Sequence, residues 1–379
     1  PYVHNKEVQL LSAMQDVKDV VPLYDIVTVD NDPLANGEPR PAIVMPYIAY
    51  REYRDEYPLM KSSEIRRYIW RILLVLHQAH RRGIMHCDIK PLNVLYDPEA
   101  DHCYVSDWGL GQWYIPHGDN SIHTGTRFWK APELLLGMHD YGYAVDVWSV
   151  GAILAGLMIN ERHFFEGRAN CDVLKAHIAK LGRTEFDRLV SKYGIHLEKS
   201  FIGEIDRYKP TGEVDWQRVF RLRAFKDRVT DETIDLISKM LVFDPDHRAT
   251  TAELLDHRYF IDAGLDWRQA LADDAAGRQP RRGAVDYRGD SGVERKAKWP
   301  ELAKQHITRD QWQQPRRTHL MQTDRRAPPP PPPHGQNAKT AAGAGRDDDD
   351  DDHASHALDS PHRFQWRRQT GFGTRARHR

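Results

Sequence analysis

The chain has 379 residues, with 54 Lys and Arg against 55 Asp and Glu and a formal net charge of -1. That balance argues against a dominant nucleic-acid footprint, and the length allows two or three domains. Three cysteines, Cys87, Cys103 and Cys171, match no zinc spacing and leave one unpaired in any disulfide scheme, which favours a reducing, intracellular setting. No apolar run reaches the roughly 18 residues of a membrane span. The opening PYVHNKEVQLLSAM lacks the basic cluster and apolar core of a signal peptide.

In chain order, EVQLLSAM reads as a helix remnant. LYDIVTVD and RPAIVMPYI read as two strands separated by the turn-rich NDPLANGEP. SSEIRRYIWRILLVLHQAHRRG predicts a long packed helix. Ser62 or Ser63 caps it, Ile65, Ile69, Ile72, Leu73 and Leu76 recur at helical steps, and Gly83 ends it. NVLYD and HCYVSD predict a short hairpin. VDVWSVGAILAGLMI is apolar all round and predicts a buried helix, and amphipathic helices continue through DETIDLISKMLVF and TTAELLDHRYF. A small strand-containing part therefore precedes a larger helical one.

Near residue 262 the composition changes. A weak helical stretch, AGLDWRQALADD, gives way to a segment poor in aliphatic residues, with a proline run at 328–333 and an aspartate run at 347–352. Such a tail has too little to bury to offset the entropy of ordering, so residues 262–379 are expected to be mostly disordered. Trp267, Trp299 and Trp312 remain as anchors for short pieces. The acidic run reads as solvated rather than as a cation site.

The densest chemistry lies in GIMHCDIKPLNVLYDPEADHCYVSDWGLG. Asp88 and Asp107 flank the predicted hairpin, which returns the chain to its starting end and turns both carboxylates toward one cleft. Asn93 heads the first strand. A carboxylate and an amide oxygen are hard ligands suited to Mg2+. The other carboxylate, Asp88, is free to deprotonate a hydroxyl, and Lys90 supplies a positive charge for a transferring phosphoryl group. Alone, Asp88 is readable as a turn residue and Asn93 as a strand cap. Their joint spacing with Lys90 and the following Asp107-x-Gly109 points to phosphoryl transfer.

HCDIKPLN, DWG and TRFWKAPELL resemble the catalytic loop, metal-binding loop and activation-segment end of a eukaryotic protein kinase. Trp108 after Asp107, together with RFWKAPELL, ERHFFEGRANCDVLKAHIAKLG and DRLVSKYGI, is similar to the casein kinase II catalytic subunit. The likeness covers residues 1 to about 261. It implies an α+β, bilobal kinase-like fold, with a partial N-lobe and hinge over 1–48, a C-lobe over 49–261 and an extension over 262–379.

The resemblance also implies roles. Asp88 would be the catalytic base and Lys90 the phosphate-stabilising residue, with Asn93 and Asp107 holding metal. Glu7 would be the helix glutamate that pairs with an ATP-contacting lysine. Met45, Pro46, Tyr47 and Ile48 would form gatekeeper and hinge. Glu133 would pair with Arg248, while His86 and Asp146 would be structural. Arg127 and Lys130, with His123 where an arginine is expected, would favour acidic residues after the phosphoacceptor; Arg127 has bracing of the segment as its alternative use. ATP and Mg2+ are the implied cofactors, with GTP tolerated. Protein substrates and a regulatory subunit are the implied partners, in nucleus and cytoplasm.

Two departures stand out. Cys87 occupies the place of the arginine that in many kinases binds an activation-loop phosphate, and a thiol has no charge to do so. Activity is therefore expected not to wait for loop phosphorylation. Nothing ahead of Glu7 supplies a glycine-rich strand turn or a strand lysine, and the lone G-x-G, in TGFGTRAR, sits in a basic tail without a preceding strand. The reading is thus of an N-terminally incomplete Ser/Thr kinase, poorly active as given. The alternatives are a pseudokinase acting as a binding module and a scaffold working through its tail.

Overall fold

In the computed structural model the described residues are 6–29, 40–100, 102–209, 214–221, 228–277 and 364–366. All belong to one unit of the chain; the other, Arg288–His356, lies outside them. The proline and aspartate runs, Trp299, Trp312 and the G-x-G also fall outside the described residues.

Helix α1 (Lys6–Ala13) turns Val8, Leu10 and Leu11 inward. Strands β1 (Asp25–Val29) and β2 (Arg40–Val44) pair antiparallel, with Ile26 opposite Ile43. The expected strand pair is present, but β2 stops at Val44, and Met45 to Ile48 continue as irregular chain. Between α1 and β1 the backbone meets the next sheet. The Val105 N–H donates to Asp19 O at 2.7 Å, and Val21 N–H to Val105 O at 3.2 Å. These bonds fix α1 over the hairpin that carries the site.

After the short α2 (Tyr53–Glu56), helix α3 (Ser62–Arg81) buries a continuous face from Ile65 to Ala79. Its cap differs from the expectation. Lys61 holds the N-cap position, and its N–H donates to the Glu64 carboxylate at 2.6 Å, so Ser62 already lies inside the first turn. Gly83, at φ +78°, ends the helix in the left-handed conformation that a side chain disfavours. Strand β3 (Ile84–Met85) then leads into the loop over residues 86–93. Strands β4 (Val94–Asp97) and β5 (His102–Val105) form the predicted hairpin, with Val94 opposite Val105. Strand β6 (Gln112–Trp113) returns to pair with β3.

Helices α4 (Pro132–Leu135) and α5 (Ala144–Ile159) follow, and every residue of α5 from Val145 to Ile159 is buried. A helix apolar on all sides has no solvent face to present, so it runs through the centre. Helix α3 and α10 (Asp231–Met240) pack against it, and α11 (Thr251–Leu255) packs against α3. Helices α6 (Asn170–Leu181), α7 (Arg183–Lys192), α8 (Lys199–Ile205) and α9 (Trp216–Arg221), and strand β7 (Ile195–Leu197), complete this part. The stretch TTAELLDHRYF, expected as one helix, divides at Asp256 and His257 into α11 and α12 (Arg258–Ile261).

Past residue 261 the chain keeps more order than its composition promised. Helix α13 (Trp267–Gly277) is started by Asp266, whose Oδ1 accepts the N–H groups of Arg268 and Gln269. The Trp267 indole donates to Asp256 Oδ1 at 2.8 Å, and its ring meets His77 edge-on at 4.6 Å. Trp267 thus is an anchor, as expected. A further strand, β8 (Phe364–Trp366), pairs antiparallel with β7 within the stretch read as disordered. No helix among the described residues is long and apolar enough to cross a membrane.

Candidate active site

The β4–β5 hairpin decides where the polar groups meet. Ser106 closes it, donating its N–H to Asn93 O at 2.8 Å and its hydroxyl to the same oxygen at 3.1 Å. The residues just outside the hairpin, Asp88 to Asn93 on one side and Asp107 on the other, therefore share one end.

Asp88 is buried and fully engaged. Its Oδ1 accepts both the N–H and the hydroxyl of Thr126, each at 2.7 Å. Its Oδ2 lies 3.0 Å from Lys90 Nζ and 3.3 Å from Asn93 Nδ2. Lys90 Nζ also donates to the Thr126 hydroxyl at 2.9 Å, so the ammonium bridges the carboxylate and the segment above it. Asn93 Nδ2 makes a second bond, 2.9 Å to Asp88 O. With its nitrogen committed, the Asn93 amide oxygen is the end left for a ligand. Asp107 is exposed and left-handed at φ +57°, with the Gly109 N–H 3.4 Å from its Oδ1. An exposed carboxylate and an amide oxygen at one end of a hairpin form a hard-donor pair that fits Mg2+.

The loop beneath is held by Asp146, which is fully buried on α5. Its Oδ2 accepts the His86 N–H at 2.9 Å, its Oδ1 the Cys87 N–H at 2.8 Å, and His80 Nε2 lies 2.9 Å from Oδ2. Burial pushes this carboxyl up, but His80, through its hydrogen bond and charge, and His86 outweigh that and hold it below its ordinary value. Cys87 sits at φ +64°, a strained conformation for a side-chain-bearing residue, and these bonds hold it there. The His86 ring is likewise structural in its contacts. Nδ1 accepts the Asp88 N–H at 3.2 Å, Nε2 donates to Ser106 O at 3.1 Å, and the ring packs on Trp108 at 4.6 Å.

The other sequence-predicted residues fall in three places. Glu133 and Arg248 form a fully buried two-bond pair at 2.7 and 3.0 Å, and Arg248 also donates to the carbonyls of Val242 and Ala144. Glu7 reaches toward Asp107 and Gly109, where a Cβ on Gly109 would lie 3.6 Å from Glu7 Oε2 and 3.3 Å from Asp107 Oδ1. Its carboxyl is raised, by burial first and by the charge of Asp107 second. Tyr47 is 92% exposed. No backbone N–H or C=O of Tyr47 or Ile48 bonds to another backbone group among the described residues. Met45 to Ile48 thus offer an unsatisfied edge beside β2, with Pro46 lacking a donor by its nature.

At the substrate side, Arg127 Nη1 donates to Arg168 O at 2.6 Å, in line with the bracing use weighed for it. His123 is exposed, with its N–H on Ser121 Oγ at 3.2 Å, and Lys130 is half-buried. Among the described residues no hydrogen bond joins His123 to the Asp88 cluster.

Thr126 is the residue that sequence reasoning missed. Its signal was a threonine immediately ahead of RFWKAPELL, where a hydroxyl can reach back to the loop. Gly125 before it, at φ +77°, lies over the loop so closely that a Cβ would sit 2.9 Å from Cys87 O.

The protein kinase domain family matches residues 3–260. Casein kinase II subunit alpha' of Saccharomyces cerevisiae is 32% identical over 262 residues, which cover 67% of this chain and 72% of that protein. A probable serine/threonine-protein kinase of Dictyostelium discoideum is 30% identical over 257 residues, covering 68% of this chain and 41% of that protein. The chain belongs to the eukaryotic protein kinase family and is related to its casein kinase II alpha members.

Proposed function

We propose that this site transfers the γ-phosphoryl group of ATP to Ser or Thr hydroxyls of proteins. The carrying observation is the interlock of Asp88, Lys90, Asn93 and Thr126 opposite Asp107. In this reading Asp88 takes the hydroxyl proton as the new oxygen–phosphorus bond forms and the β,γ-bridging bond breaks, releasing ADP. Lys90 offsets charge on the moving group. Asn93 and Asp107 would hold Mg2+, which supplies charge neutralisation on the phosphate oxygens when bound. The free backbone edge of Tyr47 and Ile48 suits a purine, and recognition through backbone groups alone extends to GTP.

The preference we assign is for acidic residues just after the phosphoacceptor, through Lys130 and in part Arg127, with His123 adding only a fraction of a charge at neutral pH. Arg127 is already bonded to Arg168 O, so the preference is moderate and sensitive to salt. The test is labelled transfer from ATP and from GTP to Ser peptides flanked by acidic residues or by alanine, with and without Mg2+. Mg2+-dependent transfer favouring acidic peptides, weakened by Lys130→Ala, is expected. Nucleotide binding with no transfer would favour the binding-module reading, and a basic or proline-directed preference would remove the recognition assignment.

A further inference from the structure

Cys87 lies beneath the segment that runs from Asp107 to Glu133, and what surrounds its thiol is a chain of neutral hydrogen bonds. Gln112 Nε2 points at Cys87 Sγ from 3.6 Å and donates to the Tyr141 hydroxyl at 2.5 Å. The Tyr141 hydroxyl in turn donates to Ser121 O at 2.5 Å. The arithmetic of donors closes. The amide has two hydrogens for two acceptors, and the hydroxyl accepts one bond and gives one. A second strand of the same attachment runs alongside. Asn120 Nδ2 donates to Tyr141 O at 3.3 Å, Asn120 N–H to His139 O at 3.1 Å, and His139 Nδ1 lies 2.9 Å from Asn120 O.

These bonds tie together the loop at Cys87, strand β6 at Gln112, and the segment at Asn120 and Ser121, adding to the β3–β6 pairing on one side and the Thr126–Asp88 bonds on the other. Tyr141 and Asn120 are buried, which shields their ends of these bonds from competing water, while Ser121 is exposed. Five residues beyond Ser121, Thr126 delivers its two bonds to Asp88. Gly125, pressed on Cys87 O, fixes the approach between them.

We propose that Gln112 and Tyr141 are positioning residues for phosphoryl transfer: together they latch the 119–126 segment to the catalytic loop through uncharged groups, so that Thr126 meets Asp88 without a phosphate on the segment. The inference rests on the kinase reading of this site. It assigns the ordering that a phosphate and an arginine supply elsewhere to a thiol, an amide, a phenol and one backbone carbonyl. The Gln112 and Tyr141 links carry no charge and are insensitive to salt, whereas His139, alongside them, also lies 2.9 Å from Asp119 Oδ1.

The test uses the whole chain with Tyr141→Phe, Gln112→Ala and the double variant. Hydrogen exchange is read by mass spectrometry alongside thermal unfolding, and transfer kinetics follow. In Tyr141→Phe, peptides covering 119–126 should lose protection by about tenfold or more while peptides from α3 and α5 keep theirs. The turnover number should fall about tenfold with the ATP KM within roughly twofold. The double variant should be no worse than Tyr141→Phe alone, because both residues serve one chain of bonds. Unchanged exchange at 119–126, loss spread evenly into α3 and α5, or multiplying effects in the double variant would each overturn the latch. Absence of any transfer by the wild type would overturn the kinase reading instead, and the exchange pattern would then decide the latch on its own.

Discussion

Thr126 donates twice to a single oxygen of Asp88, through its amide and its hydroxyl, while Lys90 spans both residues. A carboxylate whose two oxygens are separately engaged has one orientation available to it, which suits the proposed role of base. That fixes the carboxylate before any substrate arrives, which is the property transfer chemistry needs from a base.

Replacing the Thr126 hydroxyl by a methyl, in Thr126→Val, should keep the amide bond and the shape but remove the Lys90 bond to Thr126 and half of the hold on Oδ1, leaving Lys90 on Asp88 Oδ2 alone. Turnover should fall about 10- to 100-fold with nucleotide affinity unchanged, since the hydroxyl contacts the base and not the nucleotide. Steady-state kinetics with a nucleotide-binding titration would separate the two. A parallel loss of affinity would contradict this placement.

The Glu133–Arg248 pair carries no solvent exposure on either side chain. Glu133→Gln should leave an uncompensated buried guanidinium and cost about 3–5 kcal/mol. Replacing both partners by apolar residues should cost less than removing one. Chemical denaturation of the three variants checks the order, and a single variant as stable as the wild type would be contrary evidence.

Stability should decline on the acid side well before the carboxylates titrate. His177 is buried among Trp148, Phe165 and Phe243 with both ring nitrogens unpartnered; burial first and Arg248 second hold its pKa well below 6.5. His77, beside Trp267, is lowered to about 4, by burial first and then by Arg81. Both groups have depressed folded values, so the unfolded chain takes up the proton first. Their contribution is complete above about 6.5 and is lost as pH falls toward their folded values, with a slope of at most about 1.4 kcal/mol per pH unit for His177. Glu7, raised from 4.5, works in the opposite direction at the lower end of that window. Denaturation midpoints between pH 7 and 4.5 should fall, and His177→Phe should flatten the fall. A midpoint unchanged across that range would refute the assignment.

Cys87 and Cys103 are buried, and burial raises both thiols above the ordinary range, while Cys171 is half-exposed. Iodoacetamide should therefore label Cys171 first and reach the other two only on unfolding. Rapid labelling of Cys87 in the folded chain would contradict its burial.

Much of this was legible in the chain because local rules and tertiary demands agreed. VLYD and HCYV alternate as a half-buried hairpin should, and they pair in the expected antiparallel register. The all-apolar α5 announced its central position. What stayed hidden were contacts between residues far apart in sequence with ordinary local surroundings. Thr126 reaches Asp88 across 38 residues, and Tyr141 reaches Gln112 across 29. Neither carries a periodic or compositional mark. Helix α13 was underread for a related reason, since its stability comes from Asp256 and His77 rather than from an apolar face of its own. Glu7 was assigned by resemblance to a lysine partner, and its nearness to Asp107 depends on how α1 packs over the metal loop.

The most direct test compares Asp88→Asn with Asp107→Asn for Mg2+-dependent nucleotide affinity and for transfer to a Ser peptide in the same preparation. Asp107→Asn should lose the Mg2+-dependent part of nucleotide affinity together with transfer, because it removes a charged metal ligand. Asp88→Asn should keep that affinity and lose turnover, because a base assists transfer without holding the nucleotide. Equal loss of affinity in both variants, or full transfer in either, would contradict the assignment of base and metal ligand to these two carboxylates.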